Sequence, residues 1–176
     1  AGAGSSNTGG FQTTGGFRTF LNNEAHSNYS AGLRHYVNNN PPNDSVGLHV
    51  WRNIGGFGPG SYTGFFPMFQ SSFIDNSSGA GLGTINYFFQ DNLFEGNARQ
   101  AFRANAYVAG TDPRRPNKFI RNTFQNNGVA IAQNHDPCPS GDEKRPIVPG
   151  GCAGTYIELK DNLLQPSKAF DFGWQP

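Results

Sequence analysis

A six-residue phrase recurs along the chain: an Asn or Ser, any residue, a large apolar residue, two further residues, and then Asn. The clearest copies are Asn92-Leu-Phe94-Glu-Gly-Asn97 and Asn122-Thr-Phe124-Gln-Asn-Asn127. Ser71-Ser-Phe73-Ile-Asp-Asn76 fits, Arg18-Thr-Phe20-Leu-Asn-Asn23 fits less closely, and Asn162-Leu-Leu164-Gln-Pro-Ser167 reads as a degraded last copy. One large apolar residue inside a short polar frame marks a strand that buries one face. In two places the phrase runs on into a second stretch, Asn127-Gly-Val129-Ala-Ile131 and Asn76-Ser-Ser-Gly-Ala-Gly-Leu82. Gly32-Leu-Arg-His-Tyr-Val37 and Gly47-Leu-His-Val-Trp51 share that form, so the predicted unit is strand, Asn turn, strand. No window holds helical apolar spacing for more than about two turns. The 24 Gly and 20 Asn further lower helix propensity. The chain is predicted to be all-β.

Self-similarity at a regular period is the sequence mark of a stacked architecture. Phe73, Phe94, Phe124 and Leu164 follow one another at 21, 30 and 40 residues, and the 53 between Phe20 and Phe73 hold two units. One turn of a parallel β-helix takes roughly 20 to 25 residues, with longer excursions as loops. The pattern therefore predicts a right-handed parallel β-helix over residues 17–176, preceded by a flexible segment 1–16 and forming part of a longer protein. In that register Phe20, Phe73, Phe94, Phe124 and Leu164 form one apolar column. The Asn that follows sits at a bend, where it tolerates left-handed geometry and its amide bonds to the next unit. Three residues before the column stand Gln70, Asp91, Arg121 and Asp161, which places Arg121 beside both Asp91 and Asp161. Residues 55–64, 109–117 and 138–152 break the period and are expected to be loops, either binding surface or cover for the stack. The end units need a cap, from flanking parts of the same protein or further copies, with Phe170-Asp-Phe-Gly-Trp174 a candidate cap or an unmatched edge.

Composition narrows the function classes. Aromatic residues make up 14% of the chain, far more than a disordered segment carries. Net charge is +1 and the basic residues are scattered, which argues against a nucleic-acid partner. No apolar run is long enough to insert in a membrane, and the opening AGAGSSNTGG lacks the basic and apolar regions of a signal peptide. Cys138 and Cys152 flank a polar loop rich in Pro and Gly, so a disulfide is expected, with two free thiols as the alternative. Closing a loop of about 15 residues contributes about 3 kcal/mol and implies an oxidising compartment. Asn28, Asn43 and Asn76 begin glycosylation sequons, which permit a secreted glycoprotein. No cofactor is expected. Zinc would need two His near the cysteines where only His135 is close, and Ca²⁺ at acidic turn residues such as Asp75 or Asp136 lacks a D-x-D-x-D run.

The segment Asn22-Asn-Glu-Ala-His26-Ser-Asn28-Tyr-Ser-Ala-Gly32-Leu resembles a phrase in the β-helix region of G8-domain surface proteins, which include the cell-migration-inducing hyaluronan-binding proteins and their fibrocystin-like relatives. In that family a similar stretch precedes units that read like Phe124-Gln-Asn-Asn-Gly-Val-Ala-Ile131. The match covers roughly a dozen residues. It implies an extracellular or cell-surface location, and some relatives are implicated in hyaluronan breakdown. No G8 domain is recognisable in the chain and no catalytic residue carries over.

Read from the residues themselves, His26 is either a hydrogen-bonded turn residue or a group facing a groove. If the strands holding Gly32-Leu-Arg34-His35 and Gly47-Leu-His49-Val-Trp51-Arg52 are neighbours in register, then Arg34, His35, His49, Trp51 and Arg52 form a mixed aromatic and basic face. Such a face suits an acidic glycan, with Trp51 stacking on a pyranose and Arg pairing its carboxylates. No serine-nucleophile, zinc-protease or phosphate-loop motif occurs. The expected function is thus a structural, adhesive or glycan-contacting module within a larger assembly. The alternative is a polysaccharide lyase or hydrolase with its groove along residues 26–52.

Overall fold

The computed structural model describes residues 9–14, 19–36, 44–54, 66–82, 87–105, 117–134, 157–165 and 168–171. Among the described residues there are eighteen strands and no helix, hence no helix long and apolar enough to cross a membrane. In chain order the strands are β1 (Gly9–Thr14), β2 (Thr19–Leu21), β3 (Glu24–His26), β4 (Ala31–Tyr36), β5 (Asp44–Val46), β6 (His49–Trp51), β7 (Phe66–Phe69), β8 (Ser72–Ile74) and β9 (Ala80–Leu82). They continue as β10 (Tyr87–Gln90), β11 (Leu93–Glu95), β12 (Gln100–Asn105), β13 (Asn117–Ile120), β14 (Thr123–Gln125), β15 (Val129–Asn134), β16 (Ile157–Lys160), β17 (Leu163–Gln165) and β18 (Lys168–Asp171).

Every pairing is parallel. A first sheet runs β2-β5-β7-β10-β13-β16, a second β3-β6-β8-β11-β14-β17, and a third β9-β12-β15-β18, while β1 pairs with β4. From β7 onward the chain thus visits the three sheets in rotation and returns to each one strand further along. The alternation inside each three-residue strand explains why: Ser72-Phe73-Ile74, Leu93-Phe94-Glu95 and Thr123-Phe124-Gln125 each bury only the middle side chain. Phe73, Phe94 and Phe124 stack at centroid distances of 4.9 Å with planes tilted by 12° and 5°. Phe89 and Phe119 stack likewise in the first sheet, 5.4 Å apart. Phe102 of the third sheet meets both edge-on, at 5.3 and 4.8 Å, and Phe89 also contacts Phe94. Three sheets therefore share one apolar core.

A single residue in left-handed geometry turns the chain at each of these corners, and an at least partly buried residue follows it, Asn or Ser everywhere but at Leu48. The first and second sheets are joined through Asn22-Asn23, Gly47-Leu48, Gln70-Ser71, Asp91-Asn92, Arg121-Asn122 and Asp161-Asn162, whose first members have φ between 48° and 65°. Five residues later Ser27, Arg52, Asp75, Gly96 and Asn126 do the same before Asn28, Asn53, Asn76, Asn97 and Asn127. Left-handed geometry costs a residue with a Cβ about 1–2 kcal/mol. At these corners the backbone N–H finds a carbonyl in the next repeat, as in Asp91 to Ile120 at 3.1 Å and Arg121 to Lys160 at 2.9 Å. Gly96 (φ 64°) has a further reason to lack a side chain, since a Cβ there would lie 2.5 Å from Asp75 Oδ1.

Asn23 and Leu48 apart, the residue after each bend belongs to one of two side-chain ladders. In one, the backbone N–H and Nδ2 of Asn76 donate to Asn97 Oδ1, and those of Asn97 to Asn127 Oδ1, at 2.8–3.3 Å. The spare Nδ2 hydrogen reaches a carbonyl of the preceding repeat: Asn76 to Val50, Asn97 to Phe73, Asn127 to Phe94, each at 2.9 Å. The other ladder runs through Ser71, Asn92, Asn122 and Asn162 with the same pattern. Asn92, Asn97 and Asn122 are at most 2% exposed, so without these bonds each would leave several polar groups stranded.

Four expectations need correction. Phe20 does not head the column of Phe73, Phe94, Phe124 and Leu164; it lies on β2 in the first sheet, opposite Ser45, and the column begins with Ala25 and Val50. Asn23, which was taken to close the phrase beginning at Arg18, instead opens the one that ends at Asn28. The ladder Asn is not itself the left-handed residue; its predecessor is, because the Asn needs its N–H directed at the neighbouring amide. The Gly32 and Gly47 stretches are not equivalent, since β4 pairs with β1 whereas Gly47 is a corner residue before β6. The flexible segment expected through residue 16 contains β1, held to β4 from Gly9 to Thr14. The expected loops 55–64 and 138–152, and Cys138, Cys152, Asp136 and Asn43 with them, lie outside the described residues; so do 109–116.

Candidate functional site

The second sheet turns two columns of side chains outward, one on each side of the buried residue. At its first two strands these are Glu24 and His26 on β3 and His49 and Trp51 on β6, with Glu24 opposite His49 and His26 opposite Trp51. The pairing follows from two frames of equal length, Asn23 to Asn28 and Leu48 to Asn53, which are locked by Asn28 N and Nδ2 both donating to Asn53 Oδ1 at 2.8 Å. Glu24, His26 and His49 are exposed and Trp51 is half-buried. Arg52, exposed, occupies the left-handed corner immediately after Trp51.

The imidazole of His26 lies flat on the indole of Trp51, with centroids 4.5 Å apart and planes 17° from parallel. Its Nδ1 is 3.2 Å from Ser27 Oγ. The stack takes one face of the indole, and Ile74 is the next residue in register beyond it. Trp51 is therefore half-covered by a side chain of its own sheet, which leaves less of it for a pyranose ring than an open indole would offer. His49 Nδ1 lies 2.7 Å from Ser72 Oγ on β8, which fixes the ring and leaves its Nε2 side outward. Among the described residues Glu24 and Arg52 form no ion pair, so one carboxylate and one guanidinium flank the two imidazoles. The arrangement supplies several hydrogen-bond donors and one acceptor at the surface of a rigid sheet, suited to a polar, partly anionic ligand.

Of the five residues expected in this face and His26, considered apart from it, His26, His49, Trp51 and Arg52 come together. Arg34 and His35 do not: they lie on β4, in register with Gln12 and Thr13 of β1 in another sheet. Glu24 and Ser72 were missed. Alignment of the two Asn-terminated frames would have found both, but Leu48 in place of a leading Asn hides the second frame. His26 is not a turn residue; it ends a strand. Of the glycosylation candidates, Asn28 is half-buried with its Nδ2 donating to Asn53, and Asn76 is 1% exposed with its Nδ2 donating to Val50 O and Asn97 Oδ1. A glycan on Asn76 would have to displace bonds that hold the ladder. Among the described residues no group of three or more His, Cys, Asp or Glu is placed to hold a metal ion.

The corner of Asp91 and Arg121 carries the other charged cluster. Arg121 grips Asp91 with two bonds of 2.8 Å, Nε to Oδ1 and Nη2 to Oδ2, and Gln90 adds a third at 3.0 Å. The bond from Arg121, then that from Gln90, holds the Asp91 carboxyl below the usual carboxylate range. The same bond raises the Arg121 guanidinium, with Asp161 adding a weaker attraction from the other side. The three residues occupy one corner of successive repeats, as the register required. These groups knit repeats together.

Compared with protein-family models, with curated proteins and with solved structures, the chain matches none of them.

Proposed function

We propose that this chain is a stretch of right-handed parallel β-helix from an extracellular or cell-surface protein, serving as a rigid module that contacts an acidic glycan through the outward face of β3 and β6. Right-handed winding is the handedness that parallel crossover connections adopt almost without exception. The observation that carries the glycan reading is the convergence of His26, His49, Trp51 and Arg52 on one exposed face, with Glu24 beside them. Ring edges and a guanidinium there donate hydrogen bonds to sugar carboxylates and hydroxyls, and two ladders hold the strands beneath them. An extracellular setting is supported by the Cys138 and Cys152 pair, the sequon at Asn28, and the resemblance of residues 22–33 to G8-domain surface proteins.

A second reading, cleavage of the same glycan, draws on Glu24 standing opposite His49, a carboxylate and an imidazole on adjacent strands. One experiment addresses both. Binding and depolymerisation of hyaluronan, other acidic polysaccharides and neutral controls are measured for the wild-type chain, Arg52→Ala and His49→Ala. The scaffold reading expects salt-sensitive binding of acidic polymers, weakened at least several-fold by Arg52→Ala, with chain length of the polymer unchanged. Depolymerisation abolished by His49→Ala in a folded protein would establish the enzyme instead, and absence of binding to every polymer would remove the glycan reading.

A further inference from the structure

Immediately after the ladder that runs from Asn28 to Asn127 stands one further column: Tyr29, Ile54, Ser77, Ala98 and Gly128. Backbone bonds fix its register. The N–H of Ile54 donates to Asn28 O at 3.1 Å, Ser77 to Asn53 O at 3.0 Å, Ala98 to Asn76 O at 2.9 Å and Gly128 to Asn97 O at 3.1 Å. In the three later repeats the position holds a small residue. In the first two it holds a large side chain turned to solvent, Tyr29 at 73% and Ile54 at 56% exposure. A single exposed apolar residue is ordinary, whereas two neighbours in register make a patch.

The same two repeats carry the ring and guanidinium face. His26, Ser27 and Asn28 lead to Tyr29, and Trp51, Arg52 and Asn53 lead to Ile54. Asn28 and Asn53 bond to each other in the ladder, so the exposed corner residues Ser27 and Arg52 border the patch. Arg52 and Ile54, two residues apart, are separated by at most about 7 Å of chain. Among the described residues Arg52 is the only cation in its corner column, which otherwise holds Ser27, Asp75, Gly96 and Asn126. Asp75 follows it one repeat on, so an anion at Arg52 is repelled from that side and directed towards Ser27 and Tyr29. Trp51, by contrast, is half-buried with His26 flat on one face at 4.5 Å. The open aromatic surface beside the guanidinium is therefore Tyr29.

We propose that Tyr29 and Ile54 are the platform for the sugar ring of an acidic glycan, the C–H face of a uronate pyranose lying on Tyr29 and Ile54 while its carboxylate turns to Arg52. This rests on the glycan reading of the neighbouring face and assigns it a subsite. A uronate ring combines an apolar C–H face with a carboxylate at its edge, and this corner pairs an apolar surface with a cation at matching reach. Tyr offers a large rigid contact area at low cost in side-chain freedom. A neutral sugar gains only the platform, and an anion without a ring face gains only Arg52, so the pair selects uronate polymers over both.

Titration calorimetry with hyaluronan and polygalacturonate octasaccharides tests it, on protein produced without N-glycosylation so that Asn28 is unmodified. The wild-type chain, Tyr29→Leu, Tyr29→Phe and Arg52→Ala are compared, and proton NMR of the bound sugar gives a second readout. Both positions are exposed, so the fold tolerates the changes, which circular dichroism checks. Tyr29→Leu is expected to weaken binding at least about five-fold and Tyr29→Phe less than about two-fold, since Leu keeps the apolar character and loses only the ring. Pyranose C–H protons are expected to shift upfield under the ring in the wild type and Tyr29→Phe, to lose that shift in Tyr29→Leu, and to keep it in Arg52→Ala at saturating sugar. Affinity kept by Tyr29→Leu while Arg52→Ala loses it, or an upfield shift that survives Tyr29→Leu, overturns the platform and leaves the glycan reading standing. A wild-type chain that binds neither octasaccharide overturns both.

Discussion

Asn97 is fully buried, yet its side chain uses both its acceptor and its donors. Its Oδ1 accepts from Asn76 N and Nδ2, and its Nδ2 donates to Phe73 O and Asn127 Oδ1. Removing the amide strands the buried Asn76 N–H, and an unsatisfied buried group costs about 1–3 kcal/mol. Asn97→Ala is therefore expected to lower stability by about 3 kcal/mol in urea denaturation, whereas a change at the exposed Gln165 should move it by less than about 0.5 kcal/mol. The Asp91 carboxyl gives a pH signature of known sign. Its proton affinity is lowered in the folded chain by Arg121, so it adds stability above the ordinary carboxylate pKa and loses it as pH falls through the depressed value. The melting-temperature difference between wild type and Asp91→Asn should accordingly be present at neutral pH and shrink in acid. Its persistence below pH ~2 would mean the bond is not what the substitution removes.

Strands of three residues are too short to hold themselves, and their stability comes from the columns in which they stack. Phe94 lies between Phe73 and Phe124 with 4.9 Å to each, so Phe94→Ala opens a cavity in the middle of a column and should cost about 3–5 kcal/mol. Val50→Ala, near the end where the column has already shrunk towards Ala25, should cost distinctly less in the same denaturation series. This taper is also why the first two repeats were hard to read. From Ser71 onward the phrase announces itself twice, by a Phe or Leu in the column and by an Asn or Ser in the ladder. In Asn23-Glu-Ala25 and Leu48-His-Val50 one of the two signals is missing, and Phe20, a conspicuous residue in the neighbouring strand, drew the register to itself. The left-handed corners were hard to see for a different reason: Arg121 and Gln70 have little propensity for that geometry and Asp91 only a modest one, and the carbonyl of the next repeat holds all three there. The outward face suffered from the same shift. Once β4 is paired with β1, Arg34 and His35 leave the site, and the true neighbour of β6 is β3, which brings in Glu24.

At the scale of the molecule, three parallel sheets share one core, and both the ladders and the aromatic columns run from repeat to repeat. The repeats are spaced unevenly in sequence, with ladder partners 25, 23, 21, 30 and 40 residues apart, yet the strands of the second sheet keep one length. Variation in length is taken up between the stacked elements and leaves the register untouched. In-register strands hold their outward side chains at fixed spacing, which is what the proposed glycan-contacting surface requires. The account rests on that register, and engineered disulfides measure it directly. With Cys138 and Cys152 replaced by serine, Leu93→Cys with Thr123→Cys joins two outward positions paired across β11 and β14, about 4.8 Å apart, within disulfide reach. Glu95→Cys with Thr123→Cys is offset by one outward position, roughly 7–8 Å, and is beyond it. Ready oxidation of the first pair and not the second, with a raised melting temperature, is the expected result. Oxidation of the offset pair in preference would contradict the register, and with it the ladders and the columns derived from it.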